Sequence, residues 1–328
     1  MNAIFPLFAG SALALCAATA DADKIRVAGN FATEHSSSLA MQKFKEEVES
    51  LTDGALTVDI FPAQQLGGAA ENVQAVKLGA VEIIWVGSAY LSRTVPDLAA
   101  VSMPFQFSGR DEAFATVDGP IGAAIDAKLA GEGMKSLGYM ELGFRQLTNN
   151  VRPVESVEDI EGLKIRLQPN ETHMATFRAL GANPVAMDVK ELYSAMEQGV
   201  IDGQENPFAI IDVAGYAEVQ KYVSNTNHFF DFISVVTNQD KFDALSPEFQ
   251  EAVTTAMADA VAFQRQLAAE QDAAALDKLV ADGMTYSEVS PDFAAALRAA
   301  TAPVAVEARK ALSPEIAAML AGETPVSQ

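Results

Sequence analysis

Gly162-Leu-Lys-Ile-Arg-Leu167 alternates apolar side chains with cations. As an extended strand it buries Leu163, Ile165 and Leu167 on one face and sends Arg166 to the other. A guanidinium held on a strand grips a carboxylate through two parallel hydrogen bonds; a solvated strand face is the alternative reading. Two neighbouring segments are built alike. Gly143-Phe-Arg-Gln-Leu-Thr-Asn-Asn150 sets Arg145, and Gly199-Val-Ile-Asp-Gly-Gln-Glu-Asn-Pro207 sets Asn206, beside a run that reads as a buried strand or a turn.

Towards the N-terminus, residues 24–29 read as a strand that buries Ile25 and Val27. A helix follows over 36–51, with Leu39, Phe44, Val48 and Leu51 on one stripe and serines at its start to cap it. Residues 56–60 alternate as a strand, and a helix through Val73 and Val76 stops at Gly79. Residues 81–86 form a buried strand whose end presents Trp85, Gly87, Ser88 and Tyr90. This βαβαβ order predicts a parallel sheet, with ligands beyond the carboxyl ends of its strands. Residues 111–129 read as one helix.

Towards the C-terminus a second α/β set appears: strand 163–167, helix 171–180, a short strand at Val185 and helix 188–198. Strands at 222–226 and 233–237 follow. Ser246-Pro-Glu248 opens an Ala-rich tract that reaches about Val280 without Gly or Pro. At 1.5 Å per residue this helix is about 50 Å long, so it is expected to lie across two domains. Residues 293–321 continue as helix, interrupted at Pro303 and Pro314.

The 328 residues carry 22 basic and 44 acidic side chains, a net charge of −22. That charge repels nucleic acid and anionic membrane, and it obliges any site for a small anion to supply its own cations. Residues 1–22 read as a cleavable leader, with an apolar core from Ile4 to Ala18 and small residues Ala20 and Ala22 before the cut. The lone cysteine, Cys16, falls inside it and is preceded by Leu15, so an exported protein without a lipid anchor and without disulfides is expected. His35, His173 and His228 lack zinc spacing, and no Gly-Lys-Ser/Thr or His-Glu-x-x-His motif is present, so neither metal nor cofactor is expected.

Several motifs together are specific: Pro62-Ala-Gln-Gln-Leu-Gly67, the Lys-Ile-Arg run, Gly181-Ala-Asn-Pro184, Leu192-Tyr-Ser-Ala195, Asp202-Gly-Gln-Glu-Asn-Pro207, and Glu218-Val-Gln-Lys-Tyr222 followed by Thr226-Asn-His228. In this order and spacing the chain resembles the periplasmic substrate-binding subunits of TRAP (tripartite ATP-independent periplasmic) transporters over nearly all of 24–325. The resemblance implies an α/β, two-lobed periplasmic-binding-protein-like fold with two mostly parallel sheets and a long helix spanning both lobes. It implies a first lobe of 23–142 plus 231–271 and a second of 143–230 plus 272–328, with the helix of about 246–280 crossing both.

The resemblance also implies residue roles. Arg166 holds the position of the carboxylate clamp, Arg145 that of a second arginine over the ligand, and Asn206 that of an asparagine bonded to the carboxylate. Asn30, Glu71, Trp85, Ser88 and Tyr90 match first-lobe positions that face the ligand in various members. Departures narrow the substrate: Val189 stands where several sugar-acid binders carry a stacking aromatic, and Pro169 and Gly87 depart from the sialic-acid receptors.

The implied protein is a monomeric periplasmic receptor that closes on a small organic acid, such as a sugar acid or another hydroxy or dicarboxylic acid, and delivers it to membrane permease subunits. A periplasmic hydrolase or lyase using Ser88 or His35 is the enzymatic alternative, although Gly87-Ser-Ala-Tyr90 lacks nucleophile-elbow spacing. A ligand sensor for a membrane kinase is the third reading.

Overall fold

The computed structural model describes residues 23–322; the expected leader over 1–22, with Cys16, lies outside the described residues. The chain opens β1 (Asp23–Gly29), α1 (Ser36–Leu51), β2 (Leu56–Phe61), α2 (Ala69–Lys77), β3 (Ile83–Gly87). As expected, β1 pairs in parallel with β2 and with β3. Their β-branched runs are covered by α1 on one face through Phe44 and Val48 and by α2 on the other through Val73 and Val76.

The helix expected over 111–129 is two, α3 (Arg110–Val117) and α4 (Pro120–Gly131). The break has a local cause: Pro120 lacks an N–H and is tolerated only in a first turn. Next come β4 (Met134–Phe144) and β5 (Gln146–Asn149). Neither has a clear sequence signature, because β4 mixes Lys, Ser and Glu with Gly138 and Gly143, both at positive φ.

The second α/β set contains β6 (Lys164–Leu167), α5 (Glu171–Ala179), β7 (Asn183–Ala186), α6 (Leu192–Glu197), β8 (Gly203–Asn206) and α7 (Phe208–Val213). After β9 (Tyr222–Ser224) the chain returns through β10 (Phe230–Asn238) and α8 (Gln239–Asp243) to the long helix α9 (Pro247–Ala281), then β11 (Thr285–Ser287), α10 (Pro291–Lys310) and α11 (Pro314–Leu320).

The strand orders are β2-β1-β3-β10-β4 in the first sheet and β11-β9-β5-β8-β6-β7 in the second. Both sheets are mixed rather than mostly parallel. The returning strand β10 is antiparallel to both β3 and β4, and β5 is antiparallel to both β8 and β9. The sheets are joined where Arg145 alone separates β4 from β5 and where residues 225–229 separate β9 from β10.

Helix α9 begins at the Ser246 cap with Pro247 in its first turn and packs on α1, β4 and α7. Buried Gln264 accepts from the Glu141 N–H (2.8 Å) and donates to the Glu141 carbonyl (2.8 Å) and the Ser36 hydroxyl (3.0 Å). Arg265 donates to the Tyr139 carbonyl, so side chains of the helix satisfy the free edge of β4. Farther along, the Asp272 carboxylate accepts from the Ala209 N–H at the start of α7.

The interruption expected at Pro303 does not occur; α10 runs through it, and the chain breaks at 311–313. Packing outweighs the missing bond, since Phe293 and Leu297 dock in the core formed with Phe177 and Leu163. Helix α11 lies against α4, with Leu312 and Ile316 in the core of Ile125 and Leu129. Helix α11 therefore lies on the side of the first sheet.

Candidate functional site

The carboxyl ends of β3, β6 and β8 converge on a cavity of about 260 Å³ between the two sheets. That volume is on the scale of a small-molecule site, just below the ~300–1,000 Å³ span of drug-sized ligands. Residues of both sheet units border it.

Arg166 sits in β6, with Leu163, Ile165 and Leu167 buried in the core as the alternation predicts. Its side chain is not on a solvated face: it is 1% exposed and borders the cavity. Nε donates to the Met187 carbonyl (2.9 Å) and Nη2 to the Tyr90 hydroxyl (2.8 Å). No carboxylate among the described residues pairs with it. Taking a cation out of water costs several kcal/mol unless an anion repays it, so Arg166 is a charge awaiting a partner.

Tyr90 lies in the turn that follows β3 and reaches across to the second sheet. Its oxygen accepts from Arg166 and from the Val189 N–H (3.1 Å), which leaves its own O–H free to donate. Burial raises the phenol above its ordinary range despite the opposing pull of Arg166, so that proton is kept at neutral pH. Asn206 ends β8; its Oδ1 accepts from Arg145 (3.1 Å) and its Nδ2 donates to Gln204 (2.5 Å), with one amide hydrogen left over beside the cavity. Arg166, Tyr90 and Asn206 thus form a corner rich in donors and poor in negative charge.

Arg145 stands behind that corner, bonded to Asn206, and does not line the cavity. Its guanidinium is 0% exposed; Nε and Nη2 form a two-pronged ion pair with the Glu205 carboxylate, Nη2 also bonds the Glu205 carbonyl (2.6 Å), and Nη1 makes no hydrogen bond among the described residues. Asp231 lies 3.6 Å away on its other side. Burial alone lowers the guanidinium pKa, but Glu205 and Asp231 outweigh it and raise it. Burial would push the Glu205 carboxyl up, yet Arg145 and the His228 bond hold it down to about 2. His228 is kept neutral by burial; it donates from Nε2 to Glu205 (3.1 Å) and accepts at Nδ1 from the Thr226 hydroxyl.

Strand β8 is polar yet wholly buried because its own Gln204, Glu205 and Asn206 side chains are paired inside the protein. Gly203 is required there, since a Cβ would come within 1.9 Å of the Thr148 carbonyl oxygen.

The remaining expected residues divide. Asn30 borders the cavity. Trp85 lies farther back along β3, on the face that α1 covers, and packs against Phe44 in the core, so it forms no wall of the site. Ser88 donates to the Phe232 carbonyl or Ser234 and is spent in holding β10, away from the cavity. Glu71, with a side chain 58% exposed, caps Gly68 and pairs with Lys190 from the opposite unit. Asp188 accepts from the Ala70 N–H beside it, so these two contacts bridge the units at the rim.

Several cavity residues escape sequence reasoning. Phe31, Gln64, Gln168, Lys190, Tyr193 and Tyr216 all border it. Gln168 lies one residue past the end of β6, where alternation no longer says which way a side chain points. His35 also borders it, stacked on Phe31; burial lowers its pKa to about 4, and Nδ1 accepts from the Ser37 N–H, so it stays neutral. Among the described residues there is no cluster suited to a metal ion and no helix long and apolar enough to cross a membrane.

A family model described as bacterial extracellular solute-binding protein, family 7, matches residues 27–311. The chain is 34% identical over 280 residues to the 2,3-diketo-L-gulonate-binding periplasmic protein YiaO of Escherichia coli, covering 85% of each. The sugar acid binding protein DctPAm of Advenella mimigardefordensis, solved with galactonate, superposes with a TM-score of 0.89 at 30% identity, covering 91% of this chain and 96% of that one. A TRAP periplasmic solute-binding protein of Sulfurospirillum deleyianum with bound succinate gives a TM-score of 0.87 at 27% identity, covering 92% of this chain and 99% of that one.

Proposed function

We propose, since the chain belongs to the bacterial extracellular solute-binding protein family 7, that its cavity takes a small organic carboxylate onto Arg166 and delivers it to the membrane permease subunits of a TRAP-type transporter. The chain is a periplasmic receptor and not an enzyme. The observation that carries the ligand reading is the buried Arg166 guanidinium, which faces a cavity with no carboxylate of the described chain paired to it. A bound carboxylate would accept from Arg166, from the Tyr90 hydroxyl and from the Asn206 amide, three donors already held in place by the fold.

The lobes in this reading are residues 23–142 with 231–271, and 143–230 with 272–311. Residues 312–322 ride on the first lobe, because Leu312 and Ile316 share its core. The protein acts as a monomer, each copy presenting one cleft. Calorimetry tests the ligand reading: a C4–C6 organic acid that binds the wild type should lose affinity by about 2–5 kcal/mol in Arg166→Ala. Wild-type affinity in that variant would remove Arg166 from the site.

A further inference from the structure

Two of the cavity's polar groups are acceptors without donors. Asn30 Oδ1 and Gln168 Oε1 are buried and accept no hydrogen bond among the described residues. Both residues are 5% exposed, and both border the cavity, Asn30 from the first-sheet unit and Gln168 from the second. The Asn30 amide is oriented by its own contact, since Nδ2 points at the Gly67 carbonyl (3.5 Å) and exchanging the two ends would set oxygen against oxygen. Gln168 makes no hydrogen bond from either end of its amide within the described protein. It is admitted by Gly87, where a Cβ would lie 2.9 Å from its nitrogen.

Buried acceptors are seldom left unpaired in native structures, and a ligand that fails to pair them carries their desolvation cost. A carboxylate or keto oxygen only accepts, so neither satisfies Asn30 Oδ1. A hydroxyl donates, and it also accepts from an amide N–H, so it satisfies Gln168 in either orientation. The charge balance points the same way. Arg145 is matched by Glu205 and Lys190 by Glu71, which leaves Arg166 as the one uncompensated cation at the described cavity and gives a second carboxylate no partner.

Resting on the carboxylate reading above, we infer that Asn30 and Gln168 are specificity residues that select a polyhydroxylated monocarboxylate and reject hydroxyl-free acids, diacids included. Hydroxyls on the carbon chain bridge the two units by donating to Asn30 from one side and pairing with Gln168 on the other, while the carboxylate rests on Arg166.

The test is calorimetry on the mature protein with D-erythronate, D-gluconate, D-galactonate, D-glucuronate and D-galacturonate, against succinate and hexanoate. At least one hydroxylated acid should bind about 100-fold tighter than either hydroxyl-free acid, the scale expected when buried acceptors are left unpaired. Asn30→Leu and Gln168→Leu should each cut that ratio by roughly tenfold or more, mainly by weakening the hydroxylated acid. Gln168→Ala serves as a second variant, and ligand-free melting checks that each is folded.

Succinate or hexanoate binding as tightly as the best hydroxylated acid would overturn the inference, as would folded variants that keep the wild-type ratio. If that hydroxyl-free binding is lost in Arg166→Ala, the carboxylate reading survives the failure. If no acid of the panel binds the wild type, both fall.

Discussion

The Arg145 guanidinium and the Glu205 carboxylate form an ion pair with no exposure on either side, at the single residue that separates β4 from β5. The Arg145 N–H also donates to the Phe229 carbonyl (2.9 Å), so the pair ties together both strand connections between the sheets. Breaking one member leaves a buried charge without its partner. Glu205→Gln should therefore destabilise the fold by about 3–5 kcal/mol, read by urea unfolding at pH 7. The wild type should lose the contribution of Glu205 as pH falls from its ordinary 4.5 towards about 2, because its folded carboxyl is held down. An unchanged unfolding midpoint in Glu205→Gln would contradict this.

Asp231 has the opposite sign. Burial raises its carboxyl from 3.8 to about 6, with Arg145 opposing, so the folded state binds the proton more tightly than the unfolded chain. Its ionisation costs stability as pH rises from about 4 through 6, and the cost is complete above that. Asp231→Asn should gain on the order of 1–3 kcal/mol at pH 8 and little or nothing at pH 4. Unfolding curves at the two pH values check it, and a gain that does not depend on pH would exclude ionisation as the cause.

Arg166 is arranged for a ligand at the expense of the free protein. Arg166→Met keeps much of the side-chain volume and removes an uncompensated buried cation. Without ligand it should melt no lower than the wild type, with a gain of up to ~1 kcal/mol, while stabilisation by a bound acid disappears. At 100-fold excess over the dissociation constant that lost stabilisation is about 2.7 kcal/mol. Differential scanning calorimetry with and without the acid separates the two effects, and a variant still stabilised by ligand would refute the assignment.

Closure is read through Tyr90, whose hydroxyl bonds Arg166 and Val189 across the cleft. Ligand should shift the population towards the closed form and lower the radius of gyration in small-angle scattering. Tyr90→Phe loses both cross-cleft bonds and the donor to the carboxylate, so affinity should fall by roughly 10- to 100-fold with little change in unfolding midpoint. A radius of gyration that stays fixed at saturating ligand would reject closure on binding.

Much of this was legible in the sequence because period and spacing carry it. The Lys-Ile-Arg alternation separates Arg166 from the buried apolar face, and the strand over 81–86 presents Tyr90 just beyond its end. The alternation within β3 also holds the clue to Trp85: two residues before Gly87 on a strand is a core position once α1 covers that face. What the sequence hid were partners far along the chain. Nothing near Arg145 announces that Glu205, 60 residues on, pairs with it. Strand β8 stayed ambiguous for the same reason, since Gln, Glu and Asn read as a turn until their buried partners are known. Gln168 was missed because it stands just beyond the strand whose rhythm would have oriented it.

Helix α9 is pinned near its middle by Gln264, which bonds both polar backbone groups of Glu141, and farther along by Asp272, which receives the Ala209 N–H. These two anchors lie in different sheet units, and every residue between them turns the helix by about 100° and advances it by 1.5 Å. The stretch from 264 to 272 therefore works as a fixed-length gauge. Adding or deleting one residue there would swing one anchor out of reach, whereas a full extra turn of three or four would restore its bearing and shift it by about 5 Å. Natural variation in length should accordingly collect at the break at 311–313 and in other surface loops, and be absent from this part of the rod.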